Sequence, residues 1–153
     1  MTKQHPLVLK STISGPQQWL AILVMAAIVT MGPSLKAQSL GQGASTFHIV
    51  GLQANGLVYA WGRGDNSQMG NENSSQNNPI PVKVLDGAYS GTTYLGDNSS
   101  NKITAISAGT YHSIALATDG TVYAWGYGGW GSLGYSSTVT YDTPVKVLDG
   151  AYS

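Results

Sequence analysis

The decapeptide Pro-Val-Lys-Val-Leu-Asp-Gly-Ala-Tyr-Ser occurs twice, at 81–90 and at 144–153. Ten identities in register do not arise by chance, and the likeness continues upstream. Gly-Leu-Val-Tyr-Ala-Trp-Gly (56–62) aligns with Gly-Thr-Val-Tyr-Ala-Trp-Gly (120–126). Trp61 thus pairs with Trp125, His48 with His112 and Gly70 with Gly134, each 64 residues apart, while Pro81 and Pro144 are 63 apart. Repeat units of this kind stack on one another to bury a continuous core, because one unit cannot bury its own apolar face.

Each unit reads as strand, tight turn, strand. Tyr111 to Leu116 alternates, with Ile114 and Leu116 on one face. Thr118-Asp119-Gly120 supplies a turn, and Thr121 to Trp125 is a return strand rich in β-branched and aromatic residues. In the first copy Phe47 to Leu52, Asn55-Gly56 and Leu57 to Trp61 do the same, and Asn-Gly is a strong hairpin signal. Gly62 and Gly126 follow each Trp, where a missing Cβ allows close backbone approach. Pro-Val-Lys-Val-Leu predicts a further, Pro-initiated strand, and Ile103 to Ile106 another. The Gly/Ser/Asn-rich segment 86–102 reads as a long excursion between strands. Four short strands per repeat is the pattern of a propeller blade, so the expected fold is all-β, a partial β-propeller of about two four-stranded antiparallel blades.

Composition narrows the function. Only 9% of residues are charged, against about 25% in an average globular chain, and the formal net charge is zero, which gives no electrostatic reason to bind nucleic acid. With no Cys there is no disulfide, thiolate nucleophile or Cys-ligated zinc.

The N-terminus reads as an export signal. Lys3 and Lys10 precede an apolar run from Trp19 to Met31, followed by Gly32-Pro33 and Ser34-Leu35-Lys36-Ala37. The apolar core is shorter than the ~20 residues that span a bilayer as a helix. The expected organisation is a signal helix, 1–37, cut before Gln38, then two tandem repeats in 38–153, about 44–107 and 108–153. An uncleaved N-terminal anchor is the alternative. The mature chain carries four basic and seven acidic residues and is mildly acidic. Its expected location is secreted or at the cell surface, with no membrane contact after cleavage.

The second copy, Ala108, Gly109, His112, Ser113, Ala115, Leu116, Asp119, Gly120, Val122, Tyr123, Trp125, Gly126, Gly131, Leu133, Gly134 and then Pro144, resembles the repeat of the regulator of chromosome condensation family. The first copy departs from that pattern, with Ser45, Ile49, Gly51, Asn55 and Met69 in place of the family's Gly, Ser, Ala, Asp and Leu. The resemblance covers nearly all of 44–153, and the 86–102 excursion makes these repeats longer than is usual. It implies a propeller, usually seven-bladed, in which sequence repeat and blade are offset. Two repeats do not close such a ring. The chain is therefore expected to be a fragment of a longer reading frame, or several copies assemble into one ring. Secreted members of the family include a bacterial protein inhibitor of β-lactamase, so the resemblance is to an exported, bacterial-type member.

Candidate chemistry is sparse. His48 and His112 occupy one repeat position at the start of a strand, which points to a structural hydrogen bond rather than a metal or a general base. Trp61, Gly62, Gly70, Trp125, Gly126 and Gly134 are likewise repeat framework, with both Trp expected in the core. Asp86, Asp119 and Asp149 read as turn residues. Arg63-Gly64-Asp65 spells an integrin-type tripeptide, read as a chance spelling in a Gly-rich turn, and Asn73-Ser74-Ser75 and Asn98-Ser99-Ser100 fit the glycosylation sequon. What differs between copies is more informative. Tyr127, Trp130, Tyr135 and Tyr141 fall in one region of copy two, against Arg63, Asn66, Asn71 and an Asn-rich stretch in copy one. Rigid aromatic anchors among Gly and Ser suit a binding surface. The expectation is a non-catalytic module, without cofactor or metal, that binds a protein or glycan through these loops. Two alternatives stand beside it: guanine nucleotide exchange, the activity for which the family is named, and a non-catalytic part of a larger extracellular enzyme.

Overall fold

The computed structural model describes residues 37–41, 46–89 and 92–149. The expected signal segment lies outside these residues except for Ala37. Eight strands form two four-stranded antiparallel meanders. The first blade is β1 (Ala37–Gly41), β2 (His48–Gln53), β3 (Val58–Gly62) and β4 (Asn78–Lys83). The second is β5 (Ile103–Ala108), β6 (His112–Ala117), β7 (Val122–Gly126) and β8 (Tyr141–Lys146). The all-β reading and the two four-stranded blades are as the repeat implies.

Local chemistry explains each hairpin. Gly56 N–H bonds Gln53 O, and Gly120 N–H bonds Ala117 O. The side chains of Asn55 and Asp119 accept the backbone N–H two residues on, from Leu57 at 3.1 Å and Thr121 at 2.9 Å. Asn101 clamps the second turn from outside, donating to the Asp119 carboxylate and accepting from Thr118 Oγ1. The bond from the Thr121 N–H holds the Asp119 carboxyl below the usual carboxylate range.

Three elements differ from the sequence reading. The first strand of the first blade, β1, was not among the strands read from the sequence; it runs from Ala37, the last residue of the expected signal, to Gly41 and pairs with β2. The fourth strands start before their prolines, at Asn78 and Tyr141, and stop at Lys83 and Lys146. They lie at a sheet edge, where a proline costs no ladder bond on its open side. The excursion is also no loose loop. Its Tyr89 and Leu95 are fully buried, Tyr89 stands edge-on to Tyr123 with centroids 5.4 Å apart, and its hydroxyl donates to Asn101 O.

One core lies between the blades. Period-two alternation sends Val50 and Leu52 of β2 and Val58 and Ala60 of β3 to one face of the first blade. Ala115, Ala117, Tyr123 and Trp125 of the second blade join the same cluster. Each fully buried aliphatic side chain there contributes about 1.5–3 kcal/mol.

Candidate functional site

The two blades are latched at one carbonyl. Gln68, in the loop after β3, is completely buried, and its backbone oxygen accepts Trp125 Nε1–H at 2.9 Å and Ser113 Oγ–H at 3.2 Å. His48 Nε2 lies 2.8 Å from Ser113 Oγ. The serine proton is committed to the carbonyl, which can only accept. Nε2 of His48 therefore carries the proton and donates to Ser113, leaving Nδ1 as a bare acceptor, buried and without a partner. Burial, reinforced by the nearby His112, lowers the His48 pKa from 6.5 to about 4. His48 is thus a neutral hydrogen-bonding group at physiological pH. Gly70 closes the latch at φ +64°, where a Cβ would stand 2.8 Å from Trp125 Nε1.

The repeat partners of these residues sit differently. His112 begins β6 as His48 begins β2, with its ring over Gly109 on the open face of the second blade. Trp125 is fully buried, whereas Trp61 is half-buried and lies across Gly51 of its own sheet. The expectation that both tryptophans are core is corrected for Trp61: only Trp125 has a neighbouring blade to enter among the described residues. Gly62 and Gly126 have φ +103° and +100°, and a Cβ there would meet Phe47 O or Tyr111 O at 2.6 or 2.5 Å. These close approaches mark the bulges of β3 and β7. Gly134, at φ +61°, faces only Val147.

The four loop aromatics form two pairs rather than one cluster. Tyr127 and Trp130 meet edge-to-face at 5.8 Å, and Tyr135 and Tyr141 at 5.2 Å. Tyr141 is the first residue of β8, not a loop residue. The first pair belongs to a longer row that the sequence reading missed. Tyr127 meets Tyr111 at 6.2 Å, and the Arg63 guanidinium lies 6.0 Å from the Tyr111 ring and 5.6 Å from that of Phe47. The row follows from β-register. His48 pairs with Gly62 and His112 with Gly126, so the residues just outside, Phe47 with Arg63 and Tyr111 with Tyr127, meet at one end of each blade. The signal was present in the sequence, since Phe47 and Tyr111 are both aromatic and 64 apart. Trp130 ends the row at 92% exposure with φ 59°.

Arg63 and Asp65 are tied to each other, Arg63 Nε at 2.8 Å and Nη2 at 2.6 Å from the carboxylate. That pair folds the Arg-Gly-Asp spelling back on itself. Among the described residues no three His, Asp or Glu converge as a metal site.

The regulator of chromosome condensation (RCC1) repeat pattern matches residues 55–116 and 119–150, well over half of the chain. The chain belongs to the RCC1 repeat family. A second RCC1 repeat pattern matches 103–132. Related proteins include the ultraviolet-B receptor UVR8 of Arabidopsis thaliana, 32% identical over 82% of this chain and 26% of its own length. Protein RCC1 of Candida albicans is 32% identical over 64% of this chain and 21% of its own. Among solved structures, human WBSCR16 has a TM-score of 0.63 at 21% identity, covering 76% of this chain and 27% of that one. Prp20p of Saccharomyces cerevisiae, described with its binding to Gsp1p and histones, has a TM-score of 0.60 at 22% identity, covering 78% and 27%. The chain spans about a quarter of the length of these relatives. As an RCC1-repeat β-propeller module it is related to proteins that bind partners.

Proposed function

We propose that this RCC1-repeat module is a non-catalytic, exported binding module that engages another protein through the loop end carrying Phe47, Arg63, Tyr111, Tyr127 and Trp130. One observation carries the reading. Trp130 is a bulky side chain in a left-handed backbone and almost wholly in solvent, where its repeat counterpart is Asn66. Such strain and exposure oppose folding and persist where a surface is used. Large aromatics beside an arginine are the residue types that dominate protein interfaces. His48 is engaged at the latch and so is not offered to a substrate, which supports a role without catalysis. Export rests on the basic start and the apolar run Trp19–Met31.

A glycan is the second reading. The groove beside Trp130 is lined by Ser136, Ser137 and Thr138 and by no charged group, which suits a neutral polyhydroxylated ligand. The test is crosslinking of the intact chain on the surface of its host, with and without Trp130→Ala. The expected result is one protein adduct, lost in the variant at unchanged thermal stability. A glycan adduct lost in the same variant moves the assignment to the second reading. An adduct indifferent to Trp130, or none, removes the loop end as the binding surface.

A further inference from the structure

Asn55-Gly56 is the only place in the chain where glycine follows asparagine. Asparagine is a chemically labile residue, and a following glycine puts no side chain in the way of the next backbone nitrogen. Asn55 stands exposed at the tip of the β2–β3 hairpin, open to water. Its counterpart in the second copy is Asp119, the residue type that hydrolysis of the Asn55 amide would make.

In the folded turn both reacting groups are engaged elsewhere. Gly56 N–H, the nucleophile once deprotonated, donates to Gln53 O at 2.9 Å, and Asn55 Oδ1 accepts from Leu57 N–H at 3.1 Å. The 86–102 excursion seals the turn from one side. Gly56 is buried against it: a Cβ on Gly56 would stand 2.9 Å from Lys102 Cβ, and one on Gly96 would stand 1.8 Å from Gly56 O. Gly120 of the second turn is exposed, and a Cβ there would have nothing within 4 Å.

We propose that Asn55 is a site of spontaneous deamidation, that the excursion guards it, and that the folded turn accommodates aspartate there but not isoaspartate. When the turn opens, Gly56 N gives its proton to hydroxide and attacks Asn55 Cγ. The new N–Cγ bond closes a cyclic imide. The Cγ–Nδ2 bond breaks, and the departing nitrogen takes a proton from water to leave as ammonia, regenerating hydroxide. Water then opens the imide at either carbonyl, giving aspartate or isoaspartate. The sum is one water consumed and one ammonia released, with no oxidation. Aspartate fits because Asp119 makes the same turn, accepting Thr121 N–H at 2.9 Å. Isoaspartate routes the backbone through Cγ and adds one atom before Gly56, so the Gly56–Gln53 bond and the close approach to Gly96 are not both kept. The turn lies at the opposite end of the hairpin from Phe47 and Arg63, so the proposed binding row is untouched.

The test follows the full chain by peptide mapping in mildly alkaline buffer, with the aspartate and isoaspartate products resolved by chromatography. Asn55 is expected to deamidate about a hundredfold faster in urea than in the folded chain. Gly96→Ala, whose methyl meets Gly56 O, should speed the reaction in buffer about tenfold by prying the excursion from the turn. Gly120→Ala carries the same left-handed strain without the contact and should leave the rate unchanged. Isolated isoaspartate chains should unfold at lower urea than the original chain, whereas Asn55→Asp should unfold with it. Three results overturn the proposal: equal rates in urea and in buffer, equal rates in Gly96→Ala and Gly120→Ala, or equal unfolding midpoints for the isoaspartate chain and Asn55→Asp. If Gly96→Ala does not fold, the first and third comparisons decide.

Discussion

At the scale of the residue, His48 shows how a group that looks catalytic is used for architecture. Its ring is buried, gives its one proton to Ser113 and keeps a bare Nδ1. Protonation would place a charge and an unmet donor in the interblade core. In the unfolded chain His48 titrates near 6.5, and in the folded chain at about 4. Between those values the unfolded state binds the extra proton, so stability falls as pH falls from 6.5 to 4 and is independent of this group above that window. The loss expected from His48 is about 3 kcal/mol. Urea unfolding at steps across the window reads it, and His48→Gln should flatten the profile there. A profile that is unchanged in the variant would assign the pH dependence to other groups. The carboxylates of Asp65 and Asp119 are held below the usual range by hydrogen bonds, so their contribution is lost at lower pH and is separable.

At the scale of the element, a blade is legible and its surroundings are not. Alternation in β2 and β6, Asn-Gly and Asp-Gly at the turns, and the Trp-Gly ends of β3 and β7 all follow from residue type and period. The strand β1 was not legible, because Ala-Gln-Ser-Leu-Gly carries no apolar alternation and no β-branched residue; its pairing with β2 makes it a strand. The packing of the excursion was equally hidden, since its two buried anchors, Tyr89 and Leu95, sit among Gly, Ser and Asn. Equivalent positions in the two blades provide the test of burial. Leu52→Ala is expected to cost about 2–5 kcal/mol, as a large-to-small change in a closed core. Leu116→Ala, on the half-open face, is expected to cost about 1 kcal/mol or less. Chemical unfolding of the pair measures the difference, and equal costs would mean that the Leu116 face is covered in solution.

At the scale of the whole molecule, the core belongs to neither blade alone. Val50, Leu52 and Met69 from one and Tyr123 and Trp125 from the other form a single cluster. Unfolding is therefore expected to be one transition, with tryptophan fluorescence and far-ultraviolet circular dichroism coincident in urea; two resolved steps would show blades that fold independently. The candidate binding row crosses both blades in the same way, from Phe47 and Arg63 to Tyr111, Tyr127 and Trp130. Sequence comparison of the copies found Tyr127 and Trp130 because they differ between repeats, and missed Phe47 and Tyr111 because residues shared between repeats read as framework. The repeat and its central hairpins, β2–β3 and β6–β7, were determined by sequence alone, because period-two alternation and turn chemistry act within a few residues. Which copy of each residue is buried was decided only by tertiary structure. Trp61 and Trp125, His48 and His112, Leu52 and Leu116 are identical in type and repeat position. They differ because burial is a relation between two blades, and among the described residues only one face of each blade has a neighbour.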